Sequence, residues 1–394
     1  MKKILFMFSM AAVLMGMTAC GNKSNADASA ENSDESPAMK LLNSVEFSEE
    51  GLVSMIKTPA DQPLSDDEYE VLWLAYSKVP INQGKLELDA NPIGKARSTI
   101  MKDHKRPANA SAIQEKLLTN PSPQVRGMAM GQFSSLFGLS KENVAKLTSI
   151  LAEEKDPFVI KEGVRALSNE LKKEEAAKFV LGQVKSDNKN IRQVVAYAVG
   201  NYWSIGVPGV TDAAKTLIAD KDEDVRGAML GHVGKLEDES FIPELVKVLN
   251  DDKQYKLHDE CMNSLYKLWY DFPFHKHTSK AAYDATIAYL SKKPRTENVP
   301  AWNSVGELRT QAESSFGAWK AKATYFKVDE YIKLMTDIAT DANANWLGRS
   351  GAIDVIEKLG TKADLEKVQS AVKANTADKK QNLVLSALER KLKK

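Results

Sequence analysis

The sequence predicts an all-α protein built as an α-solenoid, a superhelical stack of helical hairpins. Three observations carry this: short segments of like pattern recur at a nearly fixed interval, each is preceded by turn residues, and each continues with apolar or small residues three or four apart. The segments are Pro123–Ala129, Pro157–Gly163, Lys189–Val195, Glu223–Met229 and Lys253–Asp259. Their anchors Val125, Val159, Ile191, Val225 and Tyr255 stand 34, 32, 34 and 30 residues apart, an interval that one hairpin of two helices fills.

Taken in order from the N-terminus, the first element is not part of the fold. Lys2 and Lys3 precede an apolar run from Ile4 to Met17, and Thr18-Ala19-Cys20 follows, the order of a signal peptide over residues 1–19. The apolar run is shorter than the roughly 20 residues a spanning helix needs. Residues 20–40 are mostly Ser, Asn, Asp, Ala and Glu without an aromatic side chain, which predicts a disordered tether with a reach of roughly 25 Å. Residues 41–110 contain one clear helix, Asp66–Lys78, and are expected to cap the array.

Residues 111–272 hold the repeats. Asn120-Pro121, Asp156-Pro157, Asp187-Asn188, Asp220-Lys221-Asp222 and Asp251-Asp252 supply side chains that cap the second helix of each hairpin. Within that helix Val225, Ala228, Met229, Val233 and Leu236 form a stripe that one hairpin cannot bury, so neighbouring hairpins must stack. Val144, Leu147, Ile150 and Leu151 are an example from the first helices. Residues 273–327 depart from the pattern and predict an irregular helical insertion. Residues 328–394 carry degenerate copies, Ala344–Gly360 and then a last hairpin over 365–374 and 381–392.

Two resemblances follow from these residues. Asp222–Leu236, with Val225-Arg226, small Gly227 and the Leu230-Gly231 step, resembles the second helix of HEAT repeats and implies an armadillo-like superhelix. Met17-Thr18-Ala19-Cys20 resembles a bacterial lipobox, although Met17 stands where Leu is more usual. That resemblance implies lipidation of Cys20 with acyl chains such as palmitate, and hence a membrane anchor. Gly21 after the lipidated Cys ranks the outer membrane ahead of the inner, on the periplasmic side or at the cell surface. Sorting rules differ between bacteria, and both membranes stay open.

Lys and Arg number 54 and Asp and Glu 53, and loss of Lys2 and Lys3 with the signal leaves the mature chain near neutral. Near neutrality argues against nucleic acid as a partner. With Cys20 acylated, Cys261 is the remaining thiol, so no intramolecular disulfide forms. Cys261 falls in an apolar helical pattern with Leu257, Leu265 and Leu268, the place of a buried inert thiol.

Arg126, Arg192 and Arg226 recur at one position, and HEAT resemblance implies pairing with turn Asp residues along the stack. Trp203, Trp302, Trp319, Tyr325, Phe326 and Trp346 belong to an aromatic-rich second half. Trp269, Tyr270, Phe272 and Phe274, where a helix meets a Pro-containing loop, are the candidate partner-binding residues. His275-Lys276-His277 lacks an acidic or thiol partner at ligand spacing, so neither a metal nor another cofactor is expected. His258-Asp259-Glu260 is a lone imperfect His-Glu pair. No nucleophile elbow, phosphate loop, dinucleotide fingerprint or His-Glu-x-x-His occurs. A catalytic group, if there were one, would belong to the irregular segment after Phe272. The expected function is a membrane-anchored, non-enzymatic scaffold or adaptor that binds envelope proteins. The alternative is a glycan- or peptide-binding lipoprotein using aromatic residues of the C-terminal half.

Overall fold

The computed structural model describes residues 36–82, 84–87, 91–270, 277–295, 304–306, 308 and 313–393. The expected signal peptide, Cys20 and nearly all of the expected tether lie outside them, as do Phe272, Phe274, His275, Lys276 and Trp302. The described residues form twenty α-helices and one two-stranded sheet, so the protein is all-α.

The N-terminal part is more structured than its sequence suggests. Ser36 accepts from the Met39 amide and opens α1 (Pro37–Asn43), so residues 36–40, expected to belong to the tether, are part of the fold. Next come α2 (Glu49–Ser54), α3 (Asp66–Leu74) and α4 (Pro92–Asp103), with α3 passing into a 3-10 turn over Ala75–Lys78. The strands β1 (Ile81–Asn82) and β2 (Lys85–Leu86) pair antiparallel between them. Helices of six and seven residues are too short to display a period of 3.6, and tertiary packing makes them. Glu68 holds this part together: its carboxylate accepts from the amides of Lys57, Thr58 and Ser65 and from the hydroxyls of Thr58 and Ser65. Burial pushes its pKa up, but those hydrogen bonds outweigh burial and hold it down at about 2.

Five helix pairs follow: α5 (Ala110–Leu117) with α6 (Pro123–Phe137), α7 (Lys141–Glu153) with α8 (Pro157–Leu167), α9 (Glu174–Gly182) with α10 (Lys189–Val199), α11 (Val210–Ile218) with α12 (Glu223–Leu230), and α13 (Ile242–Leu249) with α14 (His258–Tyr270). Each second helix also packs on the next: α6 on α8, α8 on α10, α10 on α12, α12 on α14. Ser122, Asp156, Asn188 and Asp222 are the N-caps of α6, α8, α10 and α12, each accepting from amides two or three residues on. The anchors Val125, Val159, Ile191 and Val225 are buried as expected.

Two local expectations fail. Tyr255 is 39% exposed, because Asp252–Leu257 forms a 3-10 turn ahead of α14 and the buried side chain there is Leu257. The stripe expected to continue from Val225 to Leu236 breaks after Leu230, and Val233–Leu236 is a separate 3-10 turn. Gly234 shows why the chain departs from the helix: a Cβ there would sit 2.3 Å from the Ser264 carbonyl oxygen, so the turn lies directly on α14.

The segment expected to be an irregular insertion contains two regular helices, α15 (Lys280–Leu290) and α16 (Glu313–Lys322), and α15 packs on α13 and α14. Then α17 (Val328–Thr340) pairs with α18 (Trp346–Leu359), and α19 (Lys362–Ala374) with α20 (Gln381–Leu392). The two regions meet in an aromatic core. Trp269 is surrounded by Tyr266, Tyr270, Tyr283, Trp319, Phe326 and Tyr331, with ring centres 5.2 to 6.3 Å away. Its Nε1–H donates to Thr286 Oγ1 at 3.0 Å, and its carbonyl accepts from Trp319 Nε1–H at 2.9 Å.

Arginine links the turns of successive pairs. The Arg192 guanidinium donates to both Asp220 oxygens (2.6 and 2.9 Å) and to the carbonyls of Ser186 and Asp187 (2.8 and 3.2 Å). Arg126 does the same with Glu154 and the carbonyls of Asn120 and Pro121. Arg349, in α18, donates to Asp378 at 2.7 Å and to the Ala339 carbonyl at 3.0 Å. Arg226 departs from this: it reaches the carbonyls of Asp220 and Lys221, and among the described residues no carboxylate pairs with it.

Candidate functional site

The aromatic residues chosen from sequence do not form a surface. Trp269 is 0% and Tyr270 1% exposed, both inside the aromatic core, so neither can touch a partner. This corrects the expectation, and the reason is long-range: α15 to α17 fold back over the end of α14 and cover it. Phe272 and Phe274 lie outside the described residues. His277 Nε2 stands 2.8 Å from Glu237 Oε1. Among the described residues no group of three or more His, Cys, Asp or Glu is arranged to hold a metal ion. Cys261 is fully buried, and burial raises its thiol pKa far above the ordinary value.

A different place is open. Along α8, α10, α12 and α14 two adjoining hollows, of about 300 and 270 Å³, share Tyr197 and His232 and together make one groove. The first is lined by residues that include Gln193, Glu223, Asp224, Lys256 and Glu260, so its charge is mostly acidic, and the second by residues that include Arg165, Ser168, Asn201 and Lys235 and no carboxylate. Tyr197 is 44% exposed and stands edge-on to the His232 ring, 5.0 Å between centres. Trp203, beyond Asn201 in the turn that follows α10, is 57% exposed.

Three of the groove's titratable groups, His232, Lys235 and Glu260, are displaced toward their uncharged forms. Burial, then the charge of Lys235, lowers the His232 pKa to about 4, so the ring is neutral at pH 7. Its Nδ1–H donates to the Ala228 carbonyl at 3.0 Å, because a carbonyl can only accept, and Nε2 therefore carries the lone pair. Burial, then the charge of Lys267, pushes Lys235 down. Burial pushes Glu260 up. Arg165 is held by Glu162 at 3.3 Å, and Glu162 also by Lys161 at 3.1 Å. Partly dehydrated polar groups beside an uncovered aromatic ring are the chemistry of a binding surface.

Sequence reasoning missed this groove, although one signal was present. In α10 the apolar stripe is Ile191, Val195, Ala198 and Val199, and Tyr197 lies off it beside Gln193 and Asn201. An aromatic residue off the buried stripe points away from the core. His232 and Lys235 give no such signal, because their position depends on the break after Leu230.

Compared with known families and with curated proteins, the sequence matches no family model and no curated protein.

Proposed function

We propose that the chain is a membrane-anchored, non-enzymatic interaction scaffold of the bacterial envelope. In this reading it is a HEAT-like α-solenoid, tethered by acyl chains on Cys20, that holds another envelope protein on the face formed by α8, α10, α12 and α14. The observation that carries the reading is the groove itself: four successive second helices leave Tyr197 exposed and His232 half-buried in a hollow where neighbouring polar groups are partly dehydrated. The order of helix packing and the arginine links support the solenoid. The signal-like first nineteen residues and Cys20 support the anchor. Among the described residues no helix is long and apolar enough to cross a membrane, so attachment in this reading rests on lipid.

The experiment is chemical crosslinking in the native host with the wild type beside Cys20→Ala, followed by membrane fractionation and identification of what co-purifies. A defined envelope protein captured by the wild type and lost with Cys20→Ala is expected. Wild-type protein that stays soluble, or that captures no envelope protein, overturns the reading.

The glycan alternative rested on aromatic residues of which Trp269 and Tyr270 are core. Trp203 is the exposed tryptophan among the described residues, and one indole makes no stacking platform, so peptidoglycan fragments are expected to leave the intrinsic fluorescence unchanged.

A further inference from the structure

The face that carries the groove is covered by peptide at one end. The β1–β2 hairpin reaches over the starts of α8 and α10: Lys161 Nζ donates to the Gly84 carbonyl, and a Cβ on Gly84 would lie 2.9 Å from Asn190 Nδ2. On α8, Lys161, Arg165 and Ser168 fall on one face of the helix. On α10, so do Asn190, Gln193 and Tyr197, and Asn201 follows in the turn just beyond the helix. The hairpin meets the first member of each row, and the later members line the open groove.

Two lysines mark these two stretches, Lys161 buried and Lys235 half-buried. Lys161 is satisfied by the Gly84 carbonyl and by Glu162. Lys235 is not: its neighbours are the Tyr202 ring, 6.0 Å from Nζ to the ring centre, and the charge of Lys267, and among the described residues no carboxylate pairs with it. An ammonium partly withdrawn from water beside a second cation is unfavourable, and an arriving anion relieves it. Since the adjoining stretch of the face already takes peptide backbone, the anion that suits this place is one carried on a peptide.

We propose that the open part of this face binds an acidic segment of a protein partner, laid as a continuation of the β1–β2 hairpin, with a carboxylate held by Lys235 and an apolar side chain over Tyr197 and His232. This rests on the scaffold reading and assigns the class of segment that the scaffold holds.

The test is fluorescence anisotropy of the full Cys20→Ala chain with two labelled decapeptides, one alternating glutamate and leucine and one alternating lysine and leucine, at low salt. The glutamate peptide is expected to bind and the lysine peptide not to. Lys235→Gln is expected to weaken binding about tenfold, while Lys215→Gln, which removes the same charge from the exposed side of α11, leaves it unchanged. Equal affinity in wild type and Lys235→Gln, or equal loss in both lysine variants, overturns the proposal. Residues 21–35 of the chain carry four carboxylates, Asp27, Glu31, Asp34 and Glu35. Deleting residues 21–35 is expected to leave the affinity unchanged, and a tightening shows that the chain fills its own groove and overturns the assignment to a partner. Absence of glutamate-peptide binding while a crosslinker at Tyr197 still captures a protein sinks the acidic assignment alone. Absence of both sinks the scaffold reading with it.

Discussion

Arg192→Ala tests the arginine links by removing one member of a buried pair. The guanidinium makes four hydrogen bonds, two to Asp220 and two to turn carbonyls. Without it Asp220, whose side chain is 8% exposed, keeps the Asp222 amide at 2.8 Å, and the carbonyls of Ser186 and Asp187 lose a donor. Breaking a buried pair from one side costs about 3–5 kcal/mol, and the position of this pair in a turn puts the expectation at the lower end, about 3 kcal/mol. Arg226→Ala is the matched control, because Arg226 binds two carbonyls and, among the described residues, no carboxylate; it is expected to cost about 1 kcal/mol. Urea unfolding followed by far-ultraviolet circular dichroism measures both. The difference also depends on pH. Burial pushes the Asp220 pKa up, but the Arg192 hydrogen bond leads the interactions that outweigh burial and hold it below the ordinary aspartate value. A carboxylate whose folded pKa is depressed contributes stability above its unfolded pKa, about 3.9, and loses it as pH falls through the folded value. The gap between wild type and Arg192→Ala is therefore full at pH 7 and narrows below about pH 4. A cost no larger than that of Arg226→Ala, or a gap unchanged down to the onset of acid unfolding, would refute the reasoning.

Trp269→Ala is expected to cost about 3–5 kcal/mol in the same urea assay, since it removes the centre of the aromatic core together with the indole's hydrogen bond to Thr286, whereas the exposed Trp203→Ala stays within about 0.5 kcal/mol of wild type. Equal effects would mean that the core and the rim are misassigned. Gly234→Ala forces a Cβ against the backbone of Ser264, and a loss of about 1–3 kcal/mol is expected, with a neutral result contradicting the close approach of the 3-10 turn to α14. In the Cys20→Ala chain, Cys261 is expected to react with a thiol reagent no faster than the protein unfolds, because it is fully buried and burial keeps it protonated. Rapid stoichiometric labelling of folded protein would place that side chain at the surface instead.

What the sequence made legible was local. The capping residues Asp156, Asn188 and Asp222 act over two or three residues, so their pattern reads directly from the chain and they cap where expected. The buried anchors from Val125 to Val225 follow from periodicity for the same reason. Most of the failures are places where a distant segment decides. The 3-10 turn of Val233–Leu236 rests on Ser264, thirty residues on, which an intrahelical pattern cannot reveal. Tyr255 has the spacing of an anchor, but the turn after Asp251 hands that position to Leu257. The pattern around Trp269 and Tyr270 suggested an exposed loop junction because nothing local shows that Trp319, Phe326 and Tyr331 close over it. Arg192 and Asp220 form a link implied by the resemblance to HEAT repeats, and Arg226 shows its limit, since the structure gives that residue carbonyls alone. The groove was half visible: Tyr197 lies off its helix's apolar stripe, whereas Lys235 reaches the groove through a turn that sequence periodicity reads as helix.

The most direct test of the scaffold reading is site-specific photo-crosslinking in living cells, with a benzophenone amino acid placed at Tyr197 in the groove and, separately, at Lys215 on the exposed side of α11. A discrete protein adduct from position 197, absent from position 215, is the expected result. Adducts from neither position, or the same adducts from both, would contradict the claim that this face is where the protein holds its partner.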